Sequence, residues 1–167
     1  MSDPGSRRRA VFDVHVFVRA VARGHSAFAG WPSPPPASDN PFADCLGIAN
    51  DAREFSLWVS ERVLVDGVRV LRRGFGWGPQ ECEDYAALIV EIARASGGGI
   101  VEPTVLVNEC EDHEDNRILE LALAVAADLI VSGDVHLTSM SPWRGIPIIT
   151  PRDFVSRVDA ARRARRR

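Results

Sequence analysis

The chain contains no lysine, and all twenty of its basic residues are arginine. Codon bias in a GC-rich genome produces such a complement, which also supplies guanidinium forks suited to phosphate. The glycines at Gly74, Gly76 and Gly78 lack the lysine of a Walker-type phosphate loop, so nucleoside-triphosphate hydrolysis of that kind is excluded. Cysteine is scarce. Cys45, Cys82 and Cys110 are odd in number, widely spaced and outside any paired motif, which argues against a disulfide framework or a zinc knuckle and fits a reducing cytoplasm. The apolar run after Arg7, Arg8 and Arg9 is broken by Asp13, His15 and Arg19, too early for a signal-peptide core or a membrane span, so a soluble chain is expected. A strong positive charge is also missing. With a formal net charge of −3, any contact with nucleic acid must be local rather than driven by an overall basic field.

What is present suits one domain: 167 residues, 46% of them hydrophobic, can enclose a full core. A polar N-terminal tail over 1–9, a domain over 10–158 and an Arg-rich C-terminal tail over 159–167 are expected. Ala10 to Val14 reads as a strand and Val16 to Ala22 as the start of a helix. The prolines and glycines between Gly24 and Pro41 read as a mobile surface loop. Pro41 to Ala52 has helical spacing, Phe55 to Val59 reads as a strand, and Ser60 suits a cap for a helix over Glu61 to Leu71. A further helix runs from Pro79 to Ser96 and stops at Gly97. Ile100 to Val107 reads as a strand, Asp115 to Ala126 as a helix, and Asp128 to Val131 and Ile146 to Ile149 as strands. A last helix from Arg152 fades into the terminal arginines. This alternation calls for a three-layer α/β/α arrangement around a central parallel sheet.

In such sheets functional groups gather beyond the carboxyl ends of the strands. Asp13 and Asp134 belong there, and Asp115 stands at a helix start. Convergent carboxylates suit a hard divalent cation, which takes oxygen ligands and can polarise a phosphodiester or activate water. Each acid also has a structural reading. Asp115 can cap its helix, Asp134 can serve a turn after Gly133, and Asp66 can lie on a solvated helix face. Asp13 resists such a reading, because an acid in an apolar strand must be compensated for its desolvation. Glu111, Asp112 and Glu114 read as a solvated acidic loop. Trp58 reads as core, with base stacking the lesser reading for Trp31, Trp77 and Trp143. No role is assigned to His25 or His113.

Together Asp13, Asp66, the Asp115/Asn116 helix start with Ala122 inside it, and the turn Ser132, Gly133, Asp134 resemble the four acidic positions of PIN-domain ribonucleases. The branch of toxin components of toxin-antitoxin systems is the nearest in pattern. The resemblance runs from about Ala10 to Phe154 and is strongest over Asp115 to Leu137. It implies a Mg²⁺- or Mn²⁺-dependent endoribonuclease, with Asp13, Asp115 and Asp134 as the metal-site core and Asp66 assisting where the family usually has Glu. After Asp13 the family commonly continues with Thr and Asn, whereas this chain has Val14 and His15. His136 occupies a place where a further Asp is frequent, so His15, Asn116 and His136 enter as accessory candidates. An RNA substrate, a small antitoxin protein and a homodimer are the partners implied. The rival reading is a catalytically weakened domain that works by binding RNA or protein. A receiver-type signalling domain would need a lysine that the chain lacks.

Overall fold

The computed structural model describes residues 7–22 and 40–167. Five parallel strands form one sheet in the order β3-β2-β1-β4-β5, and helices flank it in a three-layer α/β/α fold. β1 (Arg8–Phe12) is central, with Ala10, Val11 and Phe12 essentially excluded from solvent. It pairs with β2 (Phe55–Val59) on one side and β4 (Leu129–Val131) on the other. β3 (Gly99–Ile100) and β5 (Ile148–Ile149) are the short edges. A strand covered on both faces needs apolar side chains in succession rather than alternation, and Leu129, Ile130 and Val131 meet that need.

Seven helices join the strands among the described residues: α1 (Val14–Val21), α2 (Pro41–Asn50), α3 (Glu61–Phe75), α4 (Pro79–Ala95), α5 (His113–Ala124), α6 (Val135–Thr138) and α7 (Pro151–Ala164). Three of them open on proline at the first turn, where its missing N–H costs nothing. Ser60 Oγ accepts from Val63 N at 3.2 Å, as expected of a cap. Gly97 ends α4 with a φ of +88°, and a Cβ on the next residue, Gly98, would lie 1.9 Å from the Leu57 carbonyl oxygen. Ser96 Oγ completes this close approach by accepting from Leu57 N at 2.7 Å. Phe12, Phe17, Phe55 and Phe154 pack with ring centroids 5.0 to 5.9 Å apart, tying β1, α1, β2 and α7 into one core.

Several elements differ from expectation. β1 stops at Phe12, and Val14 is already helical, so Asp13 is the junction between strand and helix rather than a residue inside a strand. The strand expected over Ile100 to Val107 shrinks to β3. Val101 N still reaches Val59 O at 2.9 Å, but Pro103 has no N–H to donate, and Val105 and Leu106 are exposed. Val107 then turns inward, its N–H held by Glu120 Oε1 at 3.1 Å. The fifth strand is shorter too, because Ile146 pairs back on Trp143 in an antiparallel bridge. The four residues of α6 offer too short a pattern to read as a helix. The loop expected over Gly24 to Pro41 lies outside the described residues except for Asn40, which caps α2, and Pro41, which begins it. His25 and Trp31 lie outside them as well.

α7 runs past the boundary expected at residue 158 and continues to Ala164. Arg162 is no solvated tail residue: it donates to both oxygens of Glu54, at 2.9 and 2.8 Å, and to Asp51 Oδ2 at 3.0 Å. This bidentate contact fastens α7 to the turn before β2. Among the described residues no helix is long and apolar enough to cross a membrane.

Arg162→Ala leaves Glu54 without its bidentate partner and should lower stability by about 2 kcal/mol. Arg163→Ala removes an exposed i,i+4 pair with Asp159 and should change it by under about 0.5 kcal/mol. Urea denaturation of the two variants beside the parent separates anchored from solvated tail.

Candidate metal centre

The sheet order places β1 between two strands reached by crossovers in opposite directions. The carboxyl ends of β1 and β4 therefore flank a crevice where the connections diverge. Asp13 follows β1 directly, and its N–H donates to Val131 O at 2.9 Å, fixing the junction to the last residue of β4. Its side chain is 3% exposed. Ser132, the next residue of the β4 side, donates its hydroxyl to Asp13 Oδ2 at 2.8 Å and accepts from Asp134 N at 3.0 Å. One buried serine thus holds both acids in register. Asp134 Oδ1 accepts from His136 N at 2.8 Å, so the turn reading of this acid holds for one of its oxygens.

Asp115 is buried and does not cap α5. Asp112 does, with Oδ1 accepting from Glu114 N at 2.8 Å. A cap one turn earlier rotates Asp115 to the inner side of the helix, where Cys110 Sγ donates to its Oδ2 at 3.8 Å. Asn116 clamps the preceding loop: its Oδ1 accepts from Cys110 N, and its Nδ2 donates to Cys110 O, both at 2.9 Å. With both ends of the amide engaged, Asn116 acts through the loop that it orders.

Asp112, Asp115 and Asp134 each bring a carboxylate oxygen within 4.8 Å of the other two. Asp112 was expected to be part of a solvated loop, and it is the member that sequence reasoning missed. Its signal was available: an Asp three residues before the first inward position is a preferred N-cap. Asp13 joins the group through its field. Burial, then repulsion from Asp13, Asp134 and Asp112, pushes the Asp115 carboxyl up to about 7. Burial likewise holds Asp13 above the usual carboxylate range, against the lowering effect of the Ser132 hydroxyl.

Asp66 stands apart from this group. It was expected to assist the metal-site acids, with a solvated helix face as the structural alternative; it is 3% exposed and ion-paired to Arg62, at 3.3 Å, and to Arg69. Arg69 continues to Glu114 Oε1 at 3.1 Å, linking α3 to the first turn of α5. His15 and His136 are exposed, and neither imidazole is among the clustered donors. Trp143 is core, with Nε1 donating to Glu109, while Trp58 and Trp77 are partly buried against the core.

The donor set fits a hard divalent cation. All three clustered groups are carboxylates, and their mutual repulsion is a cost that two positive charges would offset. The arrangement defines an α/β domain with an acidic crevice at the switch point of its sheet. The family model described as PIN domain matches residues 9–136, and the chain belongs to the PIN-domain family. No curated protein matches it. PIN domains are generally nucleases that use divalent metals, and the matched span contains every acid of the crevice.

The raised Asp115 carboxyl makes the metal-free protein pH-dependent in a definite sense. The folded state holds this proton up to about pH 7, whereas the unfolded chain releases it near 3.8. Between those values the folded state binds more protons, so stability falls as pH rises through the window. In chelator, Asp115→Asn should flatten the decline in melting temperature from pH 4 to pH 7. A decline as steep as the parent's would remove Asp115 as its source.

Proposed function

We propose that the protein is a divalent-metal-dependent endoribonuclease acting in the cytoplasm as the toxin of a toxin-antitoxin pair. The observation that carries the reading is the convergence of Asp112, Asp115 and Asp134 beside Asp13 at the switch point of a PIN-domain sheet. Asp115 and Asp134, joined by Asp112 and supported by Asp13, would hold Mg²⁺ or Mn²⁺. The ion would supply a polarised phosphodiester and an activated water. Asp13 and Ser132 set the positions of the other groups, because Ser132 bonds both Asp13 and the Asp134 backbone. Asp66, held between Arg62 and Arg69, assists by fixing α3 against the first turn of α5. His15 and His136 stand exposed near the acids, where they would meet substrate.

RNA would reach the crevice through local arginine contacts, since the net charge is −3. Arg163, Arg166 and Arg167 are exposed on or after the last turn of α7 and offer one such grip. A small antitoxin and a second copy of the chain are the protein partners proposed. Val105, Leu106 and Val135, at 55%, 76% and 69% exposure, are apolar side chains that such partners would cover. The second reading, a weakened domain that binds RNA or protein without cutting, is favoured by the guanidinium pairing of Asp66, which neutralises the fourth acid.

Incubating the protein with a mixed RNA pool and Mn²⁺ or Mg²⁺ decides between the two. Cleavage should require metal and fall to background in Asp134→Asn, whose circular dichroism stays that of the parent. Asp112→Asn should raise the metal concentration needed for cleavage, while Asp66→Asn should act mainly on melting temperature. Cleavage by Asp134→Asn at the parent's rate and saturating metal would remove Asp134 from the site.

Replacing Arg163, Arg166 and Arg167 with alanine should flatten the salt dependence of RNA affinity by roughly 0.7 in the log-log slope for each phosphate no longer neutralised. Fluorescence anisotropy with uncleavable RNA measures the slope. An unchanged value would make the terminus a solvated end.

A further inference from the structure

The opposite end of the sheet carries a second recess. Arg8 opens β1, Phe55 opens β2 and Leu129 opens β4, and all three line one cavity of about 530 Å³. Phe154 and Val158 of α7 complete an apolar floor. The rim is different in kind: Arg7, Arg8, Arg53, Arg157 and Arg165 surround it, against two carboxylates, Glu54 and Asp128. Both carboxylates are engaged. Arg162, outside the lining, takes both oxygens of Glu54, and Asp128 Oδ2 accepts from Arg9 N at 2.7 Å. Among the described residues Arg8, Arg53 and Arg157 have no carboxylate within ion-pair distance.

Guanidiniums from β1, from the turn before β2 and from α7 therefore share one rim on which they outnumber the carboxylates. Their planar forks match phosphate and carboxylate oxygens. Groups arriving from three separate elements call for an anion with several acceptor oxygens and more than one charge. A phosphate monoester has three such oxygens and nearly two charges, whereas a carboxylate has two oxygens and one. The volume lies in the range of small-ligand sites, and the floor would take an apolar or flat organic body. We propose that this cavity binds a phosphate monoester of nucleotide size, its phosphate among Arg8, Arg53 and Arg157 and its organic body on Phe55, Leu129 and Ile149. Two sources carry that chemistry, a free nucleotide and the phosphorylated end of a nucleic-acid strand. The cavity lies at the strand ends opposite the carboxylates, so this assignment stands whether or not the acidic crevice cuts RNA.

The test is calorimetric titration of the full chain in chelator, with sodium chloride controls at matched ionic strength. Phenyl phosphate should bind more tightly than inorganic phosphate, since only the former uses the floor. Arg53→Ala and Arg157→Ala, both at exposed positions, should each weaken phenyl phosphate about tenfold. Asp134→Asn should leave it unchanged. No heat beyond the salt control, equal affinity in the arginine variants, or loss in Asp134→Asn would overturn the proposal. Competition then separates the sources: displacement by adenosine 5′-monophosphate alone supports a free nucleotide, and stronger displacement by a 5′-phosphorylated oligonucleotide supports a strand end. Equal displacement by the 5′-hydroxyl strand would overturn the monoester assignment.

Discussion

A carboxylate withdrawn from water at the end of the central strand sets the terms for the rest of the molecule. Asp13 follows the most buried stretch of the sheet, and its desolvation has to be offset by whatever neighbours the fold can bring. The fold supplies one strong donor, the Ser132 hydroxyl, and then adds Asp115 and Asp134, which make the electrostatics worse. A protein selected for stability alone would not gather like charges there. The apolar strands, the aromatic cluster joining β1 to α7 and the Arg162 clamp hold the crevice in shape despite its repulsion. Repulsion of this kind is compatible with a site that holds a cation.

The fold was legible because its strongest signals were local. Phe55–Val59 reads as a strand from five successive residues that the sheet covers, and the prolines and capping residues before α2, α3, α4 and α7 announce helix starts in type and position. Failures fell where tertiary contacts overrule local pattern. The apolar residues after Ile100 look like a strand, but the sheet has no partner for them beyond Val59, and buried Glu120 captures the chain instead. Arg162 looks like its neighbours in an arginine run, yet it alone of that run meets Glu54 and Asp51.

In the crevice the three central acids were legible through their order along the chain, while their company was not. Only the capping preference of Asp over Glu distinguishes Asp112 locally from Glu111 and Glu114. Only the choice of Asp112 as cap turns its carboxylate towards Asp115 and Asp134. Ser132 was visible as part of a turn, but its hydroxyl reaches Asp13, 119 positions away, a pairing that only the parallel alignment of β1 and β4 creates. Asp66 shows the same limit in reverse. Its place in the order matches the resemblance, yet the arginines one turn before it and three residues after it draw its charge along α3.

The same alignment separates charge along the sheet. Parallel strands put all their carboxyl ends on one side, so the acids that follow β1 and β4 meet in one crevice. The arginines that precede or begin β1 and β2 meet at the other end, joined by those of α7. A net charge of −3 averages over this division and conceals it. Arg162 lies between the two kinds of use: its one guanidinium is shared by Asp51 and Glu54, and among the described residues Arg8, Arg53 and Arg157 at the rim have no carboxylate within ion-pair distance. Without the Glu54 contact Arg162 would hold α7 through Asp51 alone, and Glu54 would be left to offset the arginines of the rim. A single bidentate contact thus contributes both to the docking of the last helix and to the excess of positive charge beneath it.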